Sequence, residues 1–140
     1  MELCRSLIGL GSNIHMVYIP ALFLQPFRES LREKIAVIAG TVDGGAAYVR
    51  EVMELTGRNE EGLFRTGFQD WFHAVKELEK RGHKYLGLLH NHPYASPTPS
   101  PLDVERMSEC PGEIWIIVSS SDVKGWVFGS ELIEVRLVIT

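Results

Sequence analysis

The chain has 140 residues, of which 45% are hydrophobic and 23% are charged, and its formal net charge is −4. A chain of this length can form one domain with a substantial hydrophobic core, and the composition excludes a largely disordered protein. The negative charge, with no lysine and arginine cluster to offset it, argues against nucleic-acid binding. No apolar run is long enough to span a bilayer and no signal-peptide pattern opens the chain, so we expect a cytoplasmic protein without membrane partners.

The first elements in chain order are a strand and a helix. Segment 6–19 is typical of an N-terminal strand or hairpin, although its pattern is weak. Segment 20–34 carries apolar residues near helical spacing, which predicts a helix that Pro26 would kink or delay. These apolar positions are Leu22, Phe23, Phe27 and Leu31.

The middle of the chain predicts a hairpin followed by a second helix. Residues 34–40 form a short apolar run that ends in glycine, as in a buried strand. The Asp-Gly-Gly sequence at 43–45 lies between two apolar runs and predicts a β-hairpin. A glycine-punctuated loop at 56–67 then leads to a helix over 68–82, which Gly82 would end.

The last third of the chain is mostly strand. Residues 84–92 predict a strand, 101–110 a short helix, and 113–120 and 125–140 further strand material. The order of elements predicts a mixed α/β or α+β domain that covers residues 1–140. Its central mixed sheet would be flanked by two main helices.

The stretch "HNHPYASPTPSPLD" carries the clearest chemistry. In a strand, residues two apart point to the same face, so His90 and His92 would project side by side, as two donors to one metal must. Asp103 lies in the first turn of a helix that Ser100 would cap, so it either complements that helix end or acts as a third ligand. The prolines before Asp103 stiffen the loop, which favours the role of Asp103 as a third metal ligand. Two histidines and one carboxylate leave a position open for water, as in catalytic zinc sites.

This stretch resembles the signature of the JAMM (MPN+) metalloproteases, which is an upstream glutamate, then H-x-H-P, a short proline-rich stretch and S-x-x-D. Those residues stand here as His90, His92, Pro93, Ser100 and Asp103. The resemblance extends over most of the chain. It implies an MPN/JAMM-type single domain with one Zn²⁺ per chain at a strand end. A compact archaeal or bacterial member is the better match, because the chain has little room for long insertions.

The resemblance also implies a glutamate that acts as general base near the start of the strand after the first helix. Glu33 directly precedes that strand and matches the family pattern E-x-I-A-h-h-x-G, where h is apolar. Glu29 is an alternative one helical turn earlier, and Glu51 and Glu54 are alternatives beyond the hairpin. Ser100 is expected to donate a hydrogen bond to the tetrahedral oxyanion, and its alternative role is helix capping alone.

Six further positions carry weaker expectations. Members of the resembled family often have serine between the two histidines, and Asn91 stands there in this chain, where it should face away from the metal. Cys4 and Cys110 are expected to be free thiols, with a disulfide as the alternative. The remaining histidines have no metal-spaced partner and are expected to be structural or surface residues: His15, His73 and His83.

The leading function that the resemblance implies is a zinc-dependent isopeptidase. It would hydrolyse the bond between the C-terminus of a ubiquitin-like protein and a target lysine. Its partners would therefore be that modifier and its conjugates. The chain could also form a homodimer. A narrow groove would admit the modifier's tail, which strand 46–55 could bind by β-augmentation. One alternative is an enzyme that processes a sulfur-carrier protein or hydrolyses a small amide. The other is a non-catalytic MPN scaffold, which the intact motif disfavours.

Overall fold

The computed structural model describes residues 13–55 and 68–140, which hold seven strands and three helices. In chain order these are β1 (Met16–Ile19), α1 (Ala21–Glu29), β2 (Ile35–Asp43), β3 (Ala46–Glu54), α2 (Phe68–Lys80), β4 (Lys84–His92), α3 (Pro101–Ser108), β5 (Ile114–Ser119), β6 (Val123–Phe128) and β7 (Leu132–Ile139). The expected mixed α+β class is confirmed. None of these three helices is long and apolar enough to cross a membrane.

The strands form one closed barrel in the order β1-β3-β2-β4-β5-β6-β7. Strand β1 pairs in parallel with both β3 and β7, and β4 pairs in parallel with β5. The remaining neighbours are antiparallel. The expectation of a mixed sheet is therefore correct, but the closure was not anticipated. Where neighbouring strands pair, closure leaves no sheet edge with unpaired backbone groups.

Two clusters of buried side chains hold the helices against the strands. Strand β2 supplies both, because alternate residues point to opposite faces: Val37 joins the cluster with Trp71 of α2, whereas Ala36 and Ile38 join the cluster with Leu24 of α1. Both faces of β2 are covered. This explains why its sequence is a continuous apolar run rather than an alternating one.

The glycines at the hairpin and after α2 act as predicted, whereas β2 continues past Gly40 to Asp43. Gly44 and Gly45 have φ angles of 58° and 87° between β2 and β3, as a two-residue type I′ hairpin requires. Gly82 has a φ of 89° after α2, and the His83 N–H donates to the Leu78 carbonyl at 3.1 Å. That bond is typical of a glycine-terminated helix.

Helix α1 differs from the prediction. It begins at its first expected turn without delay, and Pro26 lies inside it. Its buried residues are Leu24 and Phe27, whereas Leu22 and Leu31 are 75% and 74% exposed. Because two residues along a helix are about 200° apart, burial of Leu24 turns Leu22 toward solvent. The helix also ends before Leu31, so the predicted apolar face is wrong at two of its four positions.

The cysteines bring one correction. Cys110 is buried and disulfide-bonded, so the expectation of a free thiol is wrong there. Cys4, the other cysteine of the chain, lies outside the described residues, as do loop 56–67 and the start of segment 6–19. Disulfides persist mainly in oxidising compartments and in proteins of hyperthermophiles.

Candidate metal centre

The two histidines stand at the C-terminal end of β4. Their ring centroids lie 5.0 Å apart, as expected for residues two apart on one strand face. His90 pairs with Ile35 of β2 on one side and Ile117 of β5 on the other, and it is almost fully buried. His92, two residues on, is half-buried. The sheet therefore fixes the first imidazole firmly and leaves the second near the surface.

Helix α3 returns Asp103 to this strand end. Ser100 caps the helix: its hydroxyl accepts a hydrogen bond from the Asp103 N–H at 3.1 Å, and its own N–H donates to Asp103 Oδ2 at 2.9 Å. The same oxygen lies 3.3 Å from His92 Nε2. Trp126 Nε1 donates to the Pro97 carbonyl at 2.9 Å, which ties the proline-rich loop to β6. Asp103 thus completes the helix cap and also faces the histidines.

One ligand atom from each of His90, His92 and Asp103 lies within 4.8 Å of the other two. His90 Nε2 is buried and has no hydrogen-bond partner among residues 13–55 and 68–140. Buried polar atoms almost always have a partner, because an unsatisfied atom is costly. His92 Nδ1 lies 2.9 Å from the Ser96 carbonyl. Without a metal, Nε2–H donates to Asp103; with a metal bound, a proton on Nδ1 would leave the Nε2 lone pair for the ion, which is how metal-binding histidines are usually held. The spacing of the three ligand atoms and the unsatisfied His90 nitrogen therefore fit a site for one metal ion.

The ionisation of His90 and Asp103 suits metal binding, whereas a metal ion at His92 would have to displace a proton from that side chain. Burial lowers the pKa of His90 to about 4, because the charged imidazolium would lose its hydration. Burial acts to raise the pKa of Asp103, but the hydrogen bond from His92 and nearby positive charge outweigh it, so that pKa lies below its usual value. The hydrogen bond to Asp103 raises the pKa of His92. At neutral pH His90 is therefore neutral and Asp103 ionised, as ligands must be.

Glu33 lies in the connection between α1 and β2, two residues before β2, and is exposed. Its negative charge is the smallest of the contributions that raise the pKa of His92. The alternative glutamates are engaged elsewhere. Glu51 contacts Arg81 at 2.6 Å, Glu54 contacts Lys34 at 3.1 Å, and Glu29 accepts a hydrogen bond from Gln25 at 3.0 Å.

Sequence reasoning missed two groups at the site. Trp115 of β5 packs edge-on against the His90 ring, with centroids 5.3 Å apart and planes at 89°. Its indole N–H donates to Glu113 at 2.9 Å. The other missed group is the Ser96 carbonyl, which contacts His92 Nδ1. Neither had a sequence signal, because one contact crosses between strands and the other uses only backbone.

The family comparison covers most of the chain. A family profile described as prokaryotic homologs of the JAB domain matches residues 4–129. This range contains every residue of the candidate metal centre. Among curated proteins, none matches the chain significantly.

Solved structures show the same fold at low sequence identity. A protein from Desulfitobacterium hafniense is 21% identical, with a TM-score of 0.70 over 89% of this chain and 92% of that one. A Salinibacter ruber protein is 22% identical, with a TM-score of 0.65 over 89% and 92%. A JAB1/MPN domain protein from Archaeoglobus fulgidus is 20% identical, with a TM-score of 0.55 over 88% and 98%.

Proposed function

We propose a function from one premise: the chain belongs to the family of prokaryotic homologs of the JAB domain. The proposed function is zinc-dependent hydrolysis of the isopeptide bond between the C-terminus of a ubiquitin-like protein and a lysine. One observation carries it, namely the convergence of His90, His92 and Asp103 with ligand atoms within 4.8 Å of one another. The unpartnered buried nitrogen of His90 supports the same conclusion.

Zinc is the metal that this donor set favours. Two imidazole nitrogens and one carboxylate oxygen are typical of catalytic zinc sites, which keep a fourth position for water or substrate. When bound, zinc supplies Lewis acidity, which acidifies water and polarises the scissile carbonyl. We propose one zinc ion per chain.

The chain's own groups would handle the proton and the oxyanion. Glu33 accepts the proton of the attacking water and passes it to the leaving amine. The Ser100 hydroxyl already accepts a hydrogen bond from the Asp103 N–H. A hydroxyl can accept and donate at once, so its hydrogen is available to the tetrahedral oxyanion. Capping and oxyanion stabilisation by Ser100 are therefore compatible roles.

The substrate tail would bind along β3. Strand β1 pairs with β3 only at Ala46–Tyr48, so within the described residues Val49–Glu54 has no strand partner on that side. This stretch runs toward Ala36, near the start of β2, which is the end of the sheet that also holds His90. An extended tail added there would gain backbone hydrogen bonds and lead toward the metal ligands.

A cleavage assay tests this proposal. The zinc-loaded protein is incubated with ubiquitin and ubiquitin-like conjugates, with and without a chelator. We expect cleavage at the isopeptide bond that the chelator abolishes and added zinc restores. Hydrolysis of small amides without any cleavage of conjugates would contradict the proposal and favour the alternative of a small-amide hydrolase. Chelator-resistant cleavage would contradict the role of the metal.

A further inference from the structure

We propose that Asn91 is a positioning residue that holds Glu33 in register with the metal ligands. Asn91 lies between His90 and His92 on β4, and its side chain points to the other face of the strand. There it binds the connection from α1 to β2, which carries Glu33. The catalytic part of this inference rests on the proposed function, whereas the structural part does not.

The Asn91 amide binds the backbone on both sides of Glu33. Its Oδ1 accepts a hydrogen bond from the Lys34 N–H at 2.6 Å, and its Nδ2 donates to the Arg32 carbonyl at 3.0 Å. The same Nδ2 lies 3.1 Å from the Phe27 carbonyl and 3.4 Å from the Ser30 carbonyl. One side chain therefore contacts the residue before Glu33, the residue after it and the end of α1.

The orientation of this amide is unambiguous. The reverse orientation would place the amide oxygen against three carbonyl oxygens and the NH₂ group against the Lys34 N–H, so only one assignment forms hydrogen bonds. Asn91 is 1% exposed. Buried hydrogen bonds are protected from competition by water, so this network can hold a backbone segment firmly.

The other contacts of this connection are weaker. Lys34 and Glu54 form an ion pair at 3.1 Å, but their side chains are 33% and 47% exposed, and such pairs contribute little. Leu31 is exposed, so its side chain does not hold the segment against the core. Within the described residues, the Ser30 hydroxyl bonds to the nearby Arg32 backbone. Because Asn91 is adjacent to both histidine ligands, its amide links the position of Glu33 directly to the position of the metal.

The first test uses the unmodified protein and measures backbone amide exchange by NMR. If the Oδ1 contact holds, the Lys34 amide should exchange at least about tenfold more slowly than in an unstructured peptide, although its segment is exposed. Exchange of Lys34 at the free-peptide rate overturns the proposal. This measurement needs neither metal nor substrate.

The second test uses Asn91→Ser, because one hydroxyl cannot replace the whole set of amide contacts. We expect loss of Lys34 protection, zinc content unchanged at one ion per chain, and kcat about 10- to 100-fold lower with little change in KM. Ser119→Ala is the matched control. Ser119 is buried beside His92 on β5, but among the described residues its hydroxyl bonds to the turn that follows and not to the site. It should lower the melting temperature and leave kcat and Lys34 exchange unchanged.

A double variant separates positioning from a general effect. If Asn91 acts through Glu33, adding Asn91→Ser to Glu33→Gln should lower the remaining rate less than about twofold. A full multiplicative loss, or zinc loss in Asn91→Ser, overturns the proposal, because Asn91 would then act through the ligands. Absence of turnover in the unmodified protein overturns the proposed function alone, since Lys34 exchange still decides whether Asn91 holds this segment.

Discussion

The two sides of the candidate metal centre are built differently. On the ligand side, His90 and Asp103 are buried, and strands or a helix cap hold them. On the side of the proposed base, Glu33 is exposed on a connection without regular structure. A metal site needs fixed, dry ligands, whereas a base that moves a proton between water and an amine needs access. Substitutions on the ligand side should therefore change metal content, whereas substitutions on the side of the base should change turnover alone.

The largest effect is expected from Asp103→Ala, which removes a ligand. We expect the variant to lose its zinc and all measurable cleavage, because two imidazoles alone leave the metal weakly held. It also loses one half of the helix cap, so stability should fall by about 1 kcal/mol. Metal analysis measures the zinc content, and a thermal melt measures the loss of stability. Zinc retained at one ion per chain would remove Asp103 from the ligand set.

Glu33→Gln tests the exposed side alone. Glutamine is nearly isosteric but cannot accept the proton, and general base catalysis is typically worth about 10²–10⁴-fold. We therefore expect zinc content and melting temperature to stay unchanged while turnover falls by that factor. Glu29→Gln is the matched control on the preceding helix and should cleave at the normal rate. A Glu33→Gln variant with normal turnover means that another group takes the proton.

The buried side should respond to pH in the metal-free protein. The pKa of His90 is about 4 in the folded chain and ordinarily 6.5, so between these values the unfolded chain binds more protons. The free energy of unfolding should therefore fall as the pH is lowered from about 6.5 to 4, by up to about 3 kcal/mol. Urea unfolding with a chelator present measures this. His90→Gln should flatten the dependence, and an equally steep profile in that variant would contradict the assignment.

The smallest effect is expected from Ser100→Ala, which touches both sides. Loss of the cap should cost about 1 kcal/mol of stability. Loss of the oxyanion donor should cost on the order of 10²-fold in turnover, about 2.7 kcal/mol of transition-state stabilisation. A melting curve and a turnover number on the same variant separate the two roles. A destabilised protein with unchanged turnover would leave Ser100 as a cap only.

Local patterns in the sequence determined much of the site. The spacing of His90 and His92 required a common strand face, and the serine, proline and acid around Ser100 required a helix start. The glycines at 44, 45 and 82 marked a hairpin and a helix end where only left-handed backbone fits. Each of these features depends on a few neighbouring residues, so the printed sequence was sufficient to predict it.

Tertiary structure alone decided the rest. The closed barrel depends on β1 pairing with β3 and β7, and the buried face of α1 depends on what lies beneath it. The contact of Asn91 with Lys34 joins residues 57 positions apart. Sequence periodicity reports which face of an element is apolar, but it carries no information on which distant segment will cover that face. Packing makes that choice, and in this chain it brings Asn91 against the segment that carries Glu33.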